Sequence, residues 1–352
     1  MTELADAQRR PLPSPRTGDA ASDAAIRELV AICGVHEDGD LLTEMLGNTV
    51  RLCRDGSDRG ELKLINSALR DLRRASAQFA PYTGRRKCSI FGSARTRPDE
   101  PAYIAAQEMG TALAASEWMV ITGGGPGIMT AGIDGAGRDN SFGVTIRLPF
   151  EPMDGGGIVP MERLVRFRNF FSRKLTFMRQ SQAYVVFPGG FGTMDEVFEL
   201  LVLIQTGKST PAPVVLFEPV GDNYWGRFME FLDLELLQAG LISANDLDLV
   251  FVTSSPRDAL DYINDFYVGY HSMRWVGDEL VVRMNREISD ERLATLNAAY
   301  HDILVSGTIA RSKPLPPELD DDDVVHLPRL VLNFDQRSYA RLQQFVRDLA
   351  ND

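Results

Sequence analysis

The sequence predicts an α/β protein: a parallel sheet with helices on both faces, N-terminal helices before it and a small C-terminal α+β subdomain after it. Three observations predict this. From residue 87 to about 254, short β-rich apolar runs alternate with helical stretches. Strands buried on both faces read as such runs, and their alternation with helices implies right-handed parallel crossovers. Several of the runs end in glycine-rich loops, as the ligand-binding edge of an open α/β sheet requires. The flanking segments have a different texture, helical before residue 84 and mixed after 255.

In chain order, residues 1–22 are rich in Pro, Ser, Asp and Ala and are expected to be a disordered tail. Residues 23–84 form a helical extension. Leu62, Leu64, Ile65, Leu69 and Leu72 lie near a 3.6-residue period, and turns fall at 39 and 55–60. The domain at 85–254 carries strands at CSIF (88–91), MVIT (119–122), GVTIRL (143–148), YVVF (184–187), PVVLF (213–217) and LVFV (249–252). Cys88 falls in the first of these and is assigned to the core. The last part, 255–352, begins with a helix at 256–268 that leads to YHSMRWVGD. A strand at 279–285, a helix at 289–304 and a strand at 306–312 follow. The tract PPELDDDD (316–323), with its acid run Asp320–Asp323, is expected to be a solvated loop before a strand, PRLVLNF, and a closing helix, SYARLQQFVRDL. His271 and Trp275 are assigned structural roles, in a segment able to reach a neighbouring subunit.

Composition excludes several functions. The 352 residues carry 49 acids against 37 bases, a net charge of −12. Nucleic acid and anionic membranes are bound through cationic surfaces, so neither is an expected partner. Three cysteines without a CxxC pair and four scattered histidines offer no metal or disulfide pattern. A metal is not expected, and a reduced, cytoplasmic setting is. The N-terminus has early acids and prolines and no apolar core of a signal peptide. No run of 18 apolar residues suits a membrane span.

Three loops carry the chemistry. FGSAR (91–95), TGGGPGIM (122–129) and PGGFGTMDE (188–196) each place glycines where a strand ends and a helix begins. Glycine lets a ligand approach bare amides, and a helix N-terminus favours a phosphate. Thr193 is placed as a helix cap or as a hydroxyl donor to a phosphate oxygen. Two nucleotide motifs are excluded. QTGKST (205–210) has Val202 where a Walker loop needs glycine, and GGGPGIMT has Thr130 where the dinucleotide fingerprint needs Gly or Ala.

Residues 163–194 contain no acid but hold Arg163, Arg166, Arg168, Arg173, Lys174 and Arg179. Such asymmetry in an acidic chain points to a pocket for an anion, while most of these cations are assigned to a solvated face. On a helix through 169–180, Phe170, Phe171, Leu175, Phe177 and Met178 share an apolar arc. Lys174 falls inside this arc, Arg173 at its edge and Arg179 outside it. Arg173 and Lys174 are therefore the candidates to face a ligand or a carboxylate. Asp195 is assigned to the helix dipole, about 100° around the helix from Glu196.

At these residues the chain resembles the Lonely Guy (LOG) family of phosphoribohydrolases, long described as lysine decarboxylase-like. The family pattern, Arg-Lys followed by Pro-Gly-Gly-x-Gly-Thr-x-x-Glu, falls on Arg173-Lys174 and Pro188 to Glu196 with the family's spacing. FGSAR and GGGPGIM resemble the family's first two loops, and the match spans about 87–240. The N- and C-terminal extensions resemble a long-chain subgroup. One departure is visible: many members have a histidine shortly before the Arg-Lys pair, where this chain has Phe170, Phe171 and Ser172.

The resemblance implies a modified Rossmann fold, a homodimer or larger homo-oligomer, and hydrolysis of the N-glycosidic bond of a nucleoside 5′-monophosphate. Arg173 and Glu196 stand at the positions the family uses for catalysis. The residues around a bound phosphate and substrate are expected to be Gly92, Ser93, Gly124, Gly125, Met129, Lys174, Gly189, Gly190, Gly192 and Thr193, with Arg147 a further candidate for contact with the base. No cofactor is expected: no pyridoxal-phosphate lysine is signalled, so decarboxylation has no support. The competing class is a non-catalytic nucleotide sensor or carrier on the same fold.

Overall fold

The computed structural model describes residues 14–35, 38–147, 159–321 and 324–350. The chain divides into two compact units, Met1–Arg70 and Asp71–Asp352. Expectations that fall on residues 1–13, Leu148, Asp322 and Asp323 lie outside the described residues.

The first unit is helical. Helix α1 (Ala20–Cys33) starts where the Asp19 side chain accepts the Ser22 N–H, and it ends at Gly34 in the left-handed conformation. The chain is therefore helical from Ala20, not a tail through 22. Helix α2 (Gly39–Arg54) and the first part of α3 (Arg59–Phe79) follow.

The second unit begins within α3 and is built on a seven-stranded parallel sheet. Its strands are β1 (Lys87–Phe91), β2 (Met119–Thr122), β3 (Ser141–Ile146), β4 (Leu164–Phe167), β5 (Ala183–Val186), β6 (Val214–Phe217) and β7 (Phe251–Thr253). All six expected strands are present. β4 is the addition. It is four residues long, lies at the sheet edge and carries exposed Arg166, so neither length nor apolar continuity marks it in the sequence.

The intervening helices are α4 (Pro101–Ala115), α5 (Ile128–Ala136), α6 (Phe170–Gln180), α7 (Phe191–Gln205) and α8 (Tyr224–Phe231). Strand side chains alternate between two cores, as the period of two dictates. Cys88, Ile90, Val120, Val185 and Val215 pack on one face; Phe91, Met119, Ile121, Val186 and Val214 pack on the other. Both faces are covered, which gives the Rossmann-like α/β arrangement expected.

The strand order is β4-β3-β2-β1-β5-β6-β7. The chain builds outward from β1 in one direction, then returns to β1's other side with β5. The order thus reverses between β1 and β5, and the loops leaving these two strands flank a crevice at the sheet's carboxyl edge.

The remaining chain forms α9 (Pro256–Gly269), β8 (Tyr270–Val276), β9 (Glu279–Met284), α10 (Asp290–Ala299), β10 (Leu304–Ser312), α11 (Pro316–Asp320), β11 (Arg329–Phe334) and α12 (Tyr339–Asp348). Its four strands make an antiparallel sheet in the order β10-β11-β9-β8. Leu280, Val282, Leu332 and Phe345 from this part join the core that contains Cys88 and Ile90.

One element is added and one expectation is corrected here. YHSMRWV is a strand, β8, and holds His271 and Trp275 on the antiparallel sheet. The tract after Leu315 is not a solvated loop at its start: Pro316–Asp320 is helical and Glu318 is fully buried. Its carboxylate accepts from Arg283 (Nη2, 2.8 Å) and Arg329 (Nη1, 2.7 Å), and these two arginines on neighbouring strands are what draw it inward.

Candidate active site

The three glycine loops meet at the crevice between β1 and β5. The Ser93 N–H donates to the Pro188 carbonyl (3.1 Å), and the Ile128 N–H donates to the Ser93 carbonyl (3.1 Å). The β1 loop is thus laced to its neighbours on both sides. Packing requires glycine at several positions. A Cβ on Gly127 would lie 2.3 Å from the Ser93 carbonyl oxygen, and one on Gly92 would lie 2.7 Å from Ile128. Gly124 takes a left-handed φ of 67°.

Gly190 and Gly192 are different. A Cβ on either would meet nothing within 4 Å, and neither has a positive φ. Neither packing nor backbone conformation demands glycine there, which leaves bare, approachable backbone at the start of α7. That helix begins inside the motif, at Phe191, with Gly190 as its cap. Thr193 therefore sits within the first turn and makes no capping hydrogen bond, since a cap must precede the first helical residue. Its hydroxyl faces Gly189: a Cβ there would lie 2.1 Å from Thr193 Oγ1. The Tyr224 hydroxyl, from the start of α8, holds the loop from the other side by donating to the Gly189 carbonyl (2.7 Å).

Arg173 and Lys174 project from α6. Arg173 Nε donates to the Val144 carbonyl of β3 (2.9 Å), and Nη2 reaches the Gly123 carbonyl (3.5 Å). Its guanidinium lies 5.4 Å from the Phe177 ring centroid and packs against Gly123, where Met129 also lies. Burial lowers its pKa, and nearby Glu196 opposes that shift.

Glu196 is only 7% exposed, and its Oε2 has no hydrogen-bond partner among the described residues. Burial raises its pKa to about 7, although Arg173 and Lys174 pull it down. An unpaired buried carboxylate close to two cations is poised to change protonation near neutral pH.

Lys174 faces carboxylates: its Nζ lies 2.9 Å from Asp195 and 3.2 Å from Glu199. Burial lowers the ammonium pKa, but the hydrogen bonds to these two acids outweigh it and the net shift is upward. A lysine kept charged is unsuited to Schiff-base chemistry. Asp195, expected to serve the helix dipole, is instead one end of this ion pair. The pair joins α6 to α7 one residue beyond Arg173 and one residue before Glu196.

The expected apolar arc of α6 is split. Ser172, Thr176, Phe177 and Met178 are buried, while Phe170, Phe171 and Leu175 are exposed. The small hydroxyls go inward because each is satisfied there. Ser172 donates to Asp71 (3.1 Å) and Thr176 to the Ser172 carbonyl (2.8 Å).

The structure thus brings Gly92, Ser93, Gly124, Gly125, Met129, Arg173, Gly189, Thr193 and Glu196 to one sheet edge, with Gly190 and Gly192 open beside them. Lys174 is turned toward α7, and Arg147 is exposed past the end of β3. Asp71 and Tyr224 were not legible as members of this neighbourhood. Asp71 precedes Arg173 by about a hundred residues, and a Tyr-Trp pair carries no local signal.

A family model described as "Possible lysine decarboxylase" matches residues 119–263. The chain is 24% identical over 216 residues to a rice (Oryza sativa subsp. japonica) protein named "Probable cytokinin riboside 5'-monophosphate phosphoribohydrolase LOGL2", covering 58% of this chain and 84% of that one. It is 26% identical over 193 residues to the Mycobacterium tuberculosis (strain ATCC 25618 / H37Rv) cytokinin riboside 5'-monophosphate phosphoribohydrolase, covering 51% and 93%. Among solved structures, a molybdenum cofactor binding protein from Rippkaea orientalis aligns at 20% identity and a TM-score of 0.38, over 51% of this chain and 96% of that one. The resemblance to the Lonely Guy family read from the motifs is borne out by the family model and these relatives.

Proposed function

We propose, for a chain whose central domain carries the Lonely Guy pattern, that it hydrolyses the N-glycosidic bond of a nucleoside 5′-monophosphate. AMP or an N6-modified AMP is the substrate class, and the free base and ribose 5-phosphate are the products. The observation that carries this proposal is the unpaired, buried Glu196 carboxylate close to Arg173, beside backbone left bare at Gly190 and Gly192. The names of the relatives support the same reaction class.

In this account the amides at the start of α7 and the Ser93 loop receive the 5′-phosphate, aided by the helix dipole. The guanidinium of Arg173 has Nη1 free of any protein hydrogen bond among the described residues, so it can donate to a phosphate or ribose oxygen. As the C1′–N bond breaks, its electron pair leaves with the base and positive charge grows on the ribose ring. Ionised Glu196 stabilises that charge. Water then bonds to C1′ and gives up a proton to Glu196, and that proton passes on to the departed base anion, so that neutral base leaves and the carboxylate is regenerated.

Phe170, Phe171 and Leu175 on α6, with Phe191 (97% exposed), Phe198 and Val202 on α7, are exposed apolar residues on the two helices that carry Arg173 and Glu196. We propose that a second copy of the chain covers these side chains, in the homo-oligomer that the family resemblance implies.

Incubation of the purified protein with AMP, CMP, GMP, UMP and an N6-prenyl AMP tests the activity. Release of free base together with an equal amount of ribose 5-phosphate is expected from at least one. Calorimetric binding without release from any of them would replace the hydrolase with a nucleotide sensor.

A further inference from the structure

The helix that carries Arg173 is fastened at its N-terminus by a residue far away in sequence. The turn leading into α6 is capped by Asn169, whose side chain makes no capping bond to its own helix. Asp71 on α3 does that work instead. One oxygen, Oδ2, accepts the Arg168 N–H (3.0 Å), the Asn169 N–H (3.2 Å), the Asn169 Nδ2 (2.9 Å) and the Ser172 hydroxyl (3.1 Å). Asp71 is 3% exposed. No ion pair to it is present among the described residues, so neutral donors and the helix dipole hold it. A buried carboxylate is costly unless such bonds are complete.

What this fastening controls is specific. Ser172 immediately precedes Arg173, and the Arg173 N–H makes the helix's first backbone bond, to the Asn169 carbonyl (3.3 Å). From this start of α6 the guanidinium reaches the Val144 and Gly123 carbonyls. We propose that Asp71 is a positioning residue for Arg173: it fixes the start of α6 through Arg168, Asn169 and Ser172, and so sets the guanidinium beside Glu196. This rests on the reading of Arg173 and Glu196 as the working pair of the site.

The test needs no substrate. The Glu196 carboxyl is titrated by carbon-13 NMR in the parent, Asp71→Ala, Asp71→Asn, Ser172→Ala, Arg173→Ala and the Asp71→Ala/Arg173→Ala double variant. Arg173 favours the ionised form of Glu196. Its displacement should therefore move the midpoint upward, by about half a pH unit or more. Asp71→Ala and Arg173→Ala should both do this, and the double variant should move no further than Arg173→Ala alone. Asp71→Asn, which keeps an acceptor oxygen, should restore the parent midpoint, and Ser172→Ala should move it partway.

An unmoved midpoint in both Asp71→Ala and Ser172→Ala, with only a lower melting temperature, would make Asp71 merely structural and overturn the proposal. An unmoved midpoint in Arg173→Ala would overturn it as well. If Asp71→Ala does not fold, Ser172→Ala decides, and an unmoved midpoint there overturns the proposal. Base release by the parent, measured alongside, tests the hydrolase separately: no release with the coupling intact rejects the reaction and leaves the positioning role standing.

Discussion

Glu196 is withdrawn from water while two cations stand near it, and withdrawal wins: its pKa rises from 4.5 to about 7. Two consequences can be measured. If the ionised form stabilises the ribosyl cation, kcat/KM should climb with pH and reach half its plateau near pH 7. A profile flat from pH 5.5 to 8.5 would remove Glu196 from that role. For stability the sign is opposite. A folded-state pKa raised above the unfolded value stabilises the protein fully below about 4.5, and that contribution is lost as pH rises through about 7. Glu196→Gln should therefore be more stable than the parent at pH 8, by at most about 3 kcal/mol and with a higher melting temperature, and should melt at nearly the same temperature as the parent at pH 4. Equal melting at pH 8 would contradict the burial cost. Arg173 and Glu196 were legible in the sequence because a motif with fixed spacing names them. Asp71 and Tyr224 were not, because their bonds to α6 and to Gly189 exist only once distant segments meet.

At the scale of elements, apolar runs identified six strands of the parallel sheet, and two strands escaped. β4 is short and carries Arg166 at the sheet edge, and β8 mixes exposed and half-buried residues without a clean alternation. The helix at Pro316–Asp320 escaped because its sequence, PPELD, is polar, and only the two arginines of β9 and β11 make Glu318 a core residue. Burial alone would raise the Glu318 pKa. The Leu315 N–H and the two guanidinium groups outweigh that and hold it below the usual range. Glu318→Ala would remove the buried anion that Arg283 and Arg329 share, a loss of about 3–5 kcal/mol. A fall in the denaturant midpoint of that size, with base release per folded molecule unchanged, is the expected result. A midpoint within about 0.5 kcal/mol of the parent would show that the arginines find other partners. The Lys174 ion pair joins α6 to α7 in the same way. The sequence foretold that Lys174 would face a ligand or a carboxylate, and Asp195 and Glu199 are the carboxylates.

At the scale of the second unit, topology makes the site. The reversal of strand order between β1 and β5 parts two neighbouring helices and opens the crevice into which the glycine loops run. Alternating apolar runs foretold a parallel sheet and its loaded carboxyl edge. They did not foretell that the antiparallel sheet would share the parallel sheet's core, since that depends on packing between segments with no common periodicity. We propose that this crevice breaks a ribosyl C–N bond with Glu196 as the anion. The most direct measurement is base release from the best nucleotide of the panel by the parent and by Glu196→Ala at pH 8, with nucleotide affinity measured on both. Release by the parent is expected, with a loss of at least about a hundredfold in turnover in the variant and binding retained. Turnover unchanged in Glu196→Ala would contradict it.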